Sequence, residues 1–160
     1  MPIAEGERIP DVELKRMGKR EPEKVRSLDV LGKGRVVLFG VPGAFTPTCS
    51  DHHLPGFLVR ADELKEKGVD RIACVSVNDA WVMGAWGEAR GVGDQIEMLA
   101  DGNGEFTRAL GLEKDLSASG LGLRSARFAM VLDDGIVTYL GVESAPGVSV
   151  SGAGAVLAAL

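Results

Sequence analysis

The chain is expected to form an α/β domain, a mixed central sheet with helices on both faces. Short apolar runs rich in β-branched residues alternate with segments of helical periodicity, the pattern of strands joined by crossover helices. Asp133-Asp134-Gly135 stands between two further apolar runs and marks a tight hairpin, because Asp-Gly supplies the positive φ angles of such a turn. A length of 160 residues, 45% hydrophobic and 26% charged, fits one domain over residues 1–160 with a substantial core.

Residues 1–34 mix short apolar groups with charge and turn signals (Met17-Gly18-Lys19, Leu31-Gly32-Lys33-Gly34), which suggests an irregular hairpin leading into the core. The run 36–41 is too short for a core helix and β-branched, so it reads as a strand buried on both faces. After Cys49 a helical pattern carries Leu54, Phe57, Leu58, Ala61 and Leu64 inward, pairs Glu63 with Lys67, and stops at Gly68. Pro47 is tolerable near the start of that helix, whereas Pro55 should kink it or mark a second beginning. Residues 71–77 form the next strand, and Asn78-Asp79 caps a helix over 80–89. Residues 96–100 read as a third strand and 103–110 as a short helix ended by Gly111. The hairpin strands cover 128–132 and 136–140, and the tail from Ser144 is a loop followed by a terminal helix. Right-handed crossovers make the early strands parallel, and the hairpin completes a mixed sheet. This order matches a thioredoxin-like architecture, although other α/β folds share the same coarse string.

A net charge of -5 and a pI near 5.1 leave no broad basic surface to neutralise phosphates, so nucleic acid is not an expected partner. The basic residues between Arg8 and Arg26 are diluted by Asp11, Glu13, Glu21 and Glu23, as on a solvated hairpin surface. No stretch approaches the roughly 18 consecutive apolar residues of a membrane span. The first residues lack a basic-then-apolar signal pattern, and a cytoplasmic location is expected. Two cysteines do not make a disulfide scaffold and in a reducing compartment rest as thiols.

Cys49 sits where the strand over 36–41 breaks into a turn and hands over to a helix. A helix start offers unpaired N–H groups and the positive end of the macrodipole, and both favour a thiolate. A free cysteine, with a pKa of about 8.5, is about 3% ionised at pH 7, so a reactive one needs such help. The alternative is a small buried hydrophobe, and the flanking residues decide between the two.

Pro42, Thr46 and Cys49 stand as Pro-x-x-x-Thr-x-x-Cys within Gly40-Val41-Pro42-Gly43-Ala44-Phe45-Thr46-Pro47-Thr48-Cys49-Ser50, and this resembles the peroxidatic loop of the peroxiredoxins. His53-Leu54-Pro55-Gly56-Phe57, Ser76-Val77-Asn78-Asp79, Trp81-Val82 and Arg127-Phe128-Ala129-Met130-Val131 extend the similarity to the peroxiredoxin 5 or type II subfamily over roughly residues 30–143. The resemblance implies a thioredoxin-like fold and reduction of hydrogen peroxide and alkyl hydroperoxides. It makes Cys49 the nucleophile, oxidised to sulfenic acid. Thr46 is expected to hydrogen-bond the thiolate and the peroxide, Pro42 to shield the loop from water, and backbone N–H groups near Cys49 to stabilise the developing oxyanion. Arg127 matches the arginine that polarises the sulfur and holds the peroxide; Arg124 is the neighbour that could be mistaken for it. His53 is expected to orient the helix start, and Phe45 to line an apolar pocket for alkyl peroxides.

No cofactor or metal is expected: adjacent His52 and His53 diverge by about 100° on a helix and lack the i,i+4 spacing of a helical zinc pair. Cys74, mid-strand, reads as an inert buried thiol, with a disulfide to Cys49 as the alternative. Subfamily members that resolve their own sulfenic acid carry a further cysteine in the tail, and Gly147-Val148-Ser149-Val150-Ser151 has none. That departure implies a one-cysteine cycle closed by glutathione with glutaredoxin, or by thioredoxin. The subfamily pairs into homodimers, for which Trp81 and Trp86 are interface candidates. A thiol-disulfide oxidoreductase would need Cys-x-x-Cys, and Thr46 occupies the place of its first cysteine. A peroxide sensor or redox-regulated binding protein using Cys49 is the reading from a different class.

Overall fold

The computed structural model describes residues 1–160. Its chain order is β1 (Glu13–Met17), β2 (Pro22–Arg26), α1 (Ser27–Leu31), β3 (Arg35–Val41), a π-turn (Cys49–His53), α2 (Leu54–Val59), α3 (Ala61–Glu66), β4 (Arg71–Ser76), α4 (Ala80–Ala89), β5 (Glu97–Ala100), α5 (Glu105–Leu110), β6 (Glu113–Asp115), a 3₁₀ turn (Ser117–Ser119), β7 (Leu123–Ser125), β8 (Phe128–Asp133), β9 (Ile136–Val142) and α6 (Ala153–Ala159). Seven strands make one sheet in the order β2-β1-β5-β4-β3-β8-β9. The three central strands are parallel, and the flanking pairs are antiparallel. Asp134 and Gly135, at φ 48° and 82°, make the tight turn between β8 and β9.

The central strands are covered on both sides, which is why they read as continuous apolar runs. Along β3, Val37, Phe39 and Val41 enter one apolar cluster with residues of α2, α3, α4 and α6, while Val36 and Leu38 enter a second with residues of α1 and α5. Each of these side chains contributes roughly 1.5–3 kcal/mol by leaving water. Gly40 in the same strand faces Phe128 of β8. A Cβ at position 40 would lie 2.0 Å from the Phe128 ring, so glycine is what lets β8 lie flat against β3.

Two sequence expectations need correction, while a third holds: the segment after Cys49 has its second beginning at Leu54-Pro55, one of the two outcomes expected of Pro55. Pro55 has no N–H for the carbonyl of Asp51 and its ring crowds that carbonyl, and the turn before it widens so that the Leu54 N–H reaches the Cys49 carbonyl five residues back. A second break at Arg60 separates α2 from α3. Glu63 pairs with Arg60 at 3.3 Å, on the turn before it, rather than with Lys67. Finally, the first 34 residues hold a regular five-pair antiparallel hairpin that joins the main sheet, with Lys15 opposite Ala100.

Candidate active site

The chain leaves β3 at Val41 and is fastened at three points before the next helix. Arg124 Nη1 donates to the Pro42 carbonyl at 3.1 Å, while its Nε donates to the Leu121 carbonyl at 3.0 Å. The Ala44 N–H donates to Asn78 Oδ1 at 3.0 Å, and the Ser76 hydroxyl at the end of β4 donates to that same oxygen at 2.6 Å. The Thr46 hydroxyl donates to the Gly43 carbonyl at 2.6 Å, and the Ser50 N–H donates to the Thr46 carbonyl at 2.9 Å, the first bond of the new helix. Pro47, lacking an N–H, suits the first helical position. Cys49 follows within the first turn, where backbone N–H groups have no intrahelical partner.

The sulfur is fully buried. Arg127 Nη2 donates to Sγ of Cys49 at 3.1 Å, and its other terminal nitrogen, Nη1, lies 3.0 Å from Nδ1 of His53. Nε2 of His53 lies 2.7 Å from the Ser151 carbonyl. A carbonyl can only accept, so Nε2 carries the imidazole proton and Nδ1 accepts from Arg127. Burial, helped by the Arg127 charge, lowers the His53 pKa to about 4, so the ring is neutral at pH 7. Phe39 stacks on Phe57 at 4.2 Å and tilts against the His53 ring at 5.0 Å, closing the inner wall. On the other side Trp86 Nε1 donates to the Ser50 hydroxyl at 2.9 Å.

Comparison with known proteins fits this arrangement. The Redoxin family model matches residues 4–157. Peroxiredoxin-2B of Arabidopsis thaliana is 50% identical over 160 residues, 99% of each chain, and the chloroplastic Peroxiredoxin-2E-2 of Oryza sativa subsp. japonica is 52% identical over 163 residues, 99% of this chain and 72% of the other. The crystal structure of reduced Prx3 in complex with hydrogen peroxide from Vibrio vulnificus superposes with a TM-score of 0.93 at 53% identity over 98% of both chains. The chain belongs to the peroxiredoxins. It carries their thioredoxin-like fold and is a member of a family of thiol peroxidases.

In this peroxiredoxin the fold brings Cys49, Arg127 and His53 into direct contact and sets Thr46 and Pro42 on the same loop. Three side chains stand differently from the sequence expectation. The Thr46 hydroxyl proton goes to Gly43, not to the sulfur, which leaves its oxygen lone pairs as acceptors. The Phe45 ring is 54% exposed on a backbone at φ 64°, so it lines no closed pocket. Trp86 is wholly buried and cannot serve an interface, whereas Trp81 is 63% exposed. Sequence reasoning named Arg124 only as a neighbour of Arg127 and Asn78 only as a cap and motif residue, missing their hold on the loop, and it did not find the Ser151 carbonyl, because a backbone carbonyl carries no residue-type signal. No helix is long and apolar enough to cross a membrane. The chloroplastic relative means that family membership alone does not set the compartment.

Proposed function

We propose that Cys49 is the peroxidatic cysteine and that the protein reduces hydrogen peroxide and alkyl hydroperoxides at the expense of an external thiol. The observation that carries this is the guanidinium of Arg127, 3.1 Å from the sulfur of a cysteine at a helix start. Guanidinium stays charged at every working pH, so its attraction for the thiolate and for a developing oxyanion persists. In the reaction the Cys49 thiolate attacks one peroxide oxygen; the S–O bond forms as the O–O bond breaks, and the departing oxygen leaves as water or alcohol after taking a proton. Arg127 steadies that oxygen, the free lone pairs of Thr46 accept from the peroxide O–H, and Pro42 adds no competing donor.

The cycle then closes with an outside thiol, which attacks the sulfenic sulfur and releases water; a second thiol reduces the mixed disulfide. Glutathione with glutaredoxin is the first candidate reductant and thioredoxin the second. Residues 147–151 of the tail hold no cysteine, and Cys74 is sealed in β4 with its thiol pushed up by burial, both of which favour a one-cysteine cycle. Exposed Trp81 supports a homodimer, which sedimentation at micromolar concentration would reveal.

The deciding experiment compares peroxide turnover with glutathione alone, with glutathione plus glutaredoxin, and with thioredoxin plus its reductase. Sustained consumption in one of these systems, lost in Cys49→Ser, is expected. Oxidation that stops after one equivalent in all three would favour a sensor, and a Cys49–Cys74 crosslink in peroxide-treated protein would overturn the one-cysteine cycle.

A further inference from the structure

Glu143 lies just beyond β9, outside the loop and helix that hold the sulfur, yet its carboxylate gathers an entire turn of the tail. Oε1 accepts from the Ser149 hydroxyl at 2.6 Å, and Oε2 accepts from the Ser149 N–H at 2.7 Å, the Ser151 N–H at 2.8 Å and the Ser151 hydroxyl at 2.6 Å. Burial works against this charge, but the bonds from the two serines outweigh it and hold the Glu143 pKa down to about 2. The turn so gathered ends in the Ser151 carbonyl, the group that takes the His53 proton at 2.7 Å. His53 in turn presents Nδ1 to Arg127, which presents Nη2 to the sulfur. The circuit closes on itself: the Glu143 N–H donates to the Arg127 carbonyl at 2.9 Å, so the two residues are also joined through their backbones.

We propose that Glu143 is a positioning residue for peroxide reduction, holding the Arg127 guanidinium against the Cys49 sulfur by way of Ser149, Ser151 and His53. The inference rests on the role given to Arg127 above. Arg127 is a long, partly exposed side chain with many rotamers, and a single bond to sulfur does not fix it. His53 supplies the second contact, but it does so only while its proton stays on Nε2, where the Ser151 carbonyl holds it. Residues 144–148 carry no helix or strand, and although the Tyr139 hydroxyl donates to the Val150 carbonyl at 2.5 Å and α6 follows from Ala153, the Glu143 carboxylate is the side chain bonded to Ser151 itself. Removing the carboxylate frees the turn, releases the imidazole from its tautomer and lets the guanidinium swing away from the sulfur.

The test is a double-variant cycle on the rate of Cys49 oxidation by hydrogen peroxide, followed by stopped-flow tryptophan fluorescence. Glu143→Gln is expected to slow oxidation about tenfold, less than the roughly hundredfold cost of a full 1 Å misplacement, with partial recovery in Glu143→Asp. Its pH–rate profile should move toward that of Arg127→Ala, which a purely structural defect would not produce. In an Arg127→Ala background the same substitution should change nothing further. Should Glu143→Gln fold poorly, Ser149→Ala combined with Ser151→Ala removes two of the four bonds and should slow oxidation about threefold. An unaltered rate in both sets of variants, while Arg127→Ala is slow, overturns the inference and leaves the role of Arg127 standing. A tenfold loss that persists without Arg127 also overturns it. An Arg127→Ala variant as fast as wild type removes the role of Arg127 itself, and this inference with it.

Discussion

Cys49 and Cys74 share an apolar cluster on one face of the sheet, and neither exposes any surface, yet their surroundings are opposite. Cys74 lies mid-strand in β4, between Phe39 of β3 and Met98 of β5, with the backbone committed to both ladders. Burial pushes its thiol well above the ordinary cysteine range; the nearby Cys49 adds to this and Arg127 opposes it weakly. Cys49 lies where the strand has ended, so helical N–H groups and a guanidinium can be aimed at its sulfur. Burial alone therefore says nothing about whether a thiol reacts. What separates these two is the charge and dipole that each backbone environment can bring to the sulfur.

The contrast can be broken most directly by exchanging the thiols. Cys49→Ser should abolish peroxide turnover, whereas Cys74→Ala should leave the oxidation rate within about a factor of two; loss of activity in the second variant would erase the distinction. A pH series sharpens it through His53, which touches only the reactive side. Unfolded histidine takes a proton near pH 6.5, folded His53 not until about 4. Between those values the unfolded chain binds more protons, so stability should rise with pH and be lost, by up to about 3 kcal/mol, as pH drops from about 6.5 to 4; His53→Gln should flatten that slope in denaturant titrations. Next, Arg127→Ala should slow oxidation at least tenfold, about 1.4 kcal/mol of transition-state stabilisation. The smallest effect belongs to Trp86→Phe, which removes the donor to Ser50 beside the reactive thiol. It should cost about 1 kcal/mol of unfolding free energy with little change in rate.

The parts of the fold that were legible in the sequence are those with a local cause. β3 and β4 announce themselves as apolar runs because both faces are covered, and Asp134-Gly135 announces the β8–β9 turn because few residues accept its φ angles. Asp79 was readable as a cap and its side chain accepts from the Val82 N–H at 2.8 Å. In contrast, β6 and β7 are three residues each and mostly exposed, with no alternation to detect. The π-turn was half legible: Pro55 foretold a disturbance but not its shape. At the site, the motif brought out Cys49, Thr46, Pro42, Arg127 and His53 by residue type. The direction of the Thr46 hydroxyl and the depth of Trp86 depend on neighbours distant along the chain, and these no spacing encodes.

Residue types and their order were enough to determine a mixed α/β domain and a cysteine at a strand-to-helix junction, since backbone propensity and helix polarity act over a few neighbouring positions. Tertiary structure alone decided that a guanidinium 78 residues along the chain would meet that sulfur, that Cys74 would not, and that Glu143 would gather the tail behind His53. Those outcomes rest on pairings between strands and loops far apart in sequence, whose geometry exists only once the whole sheet has closed.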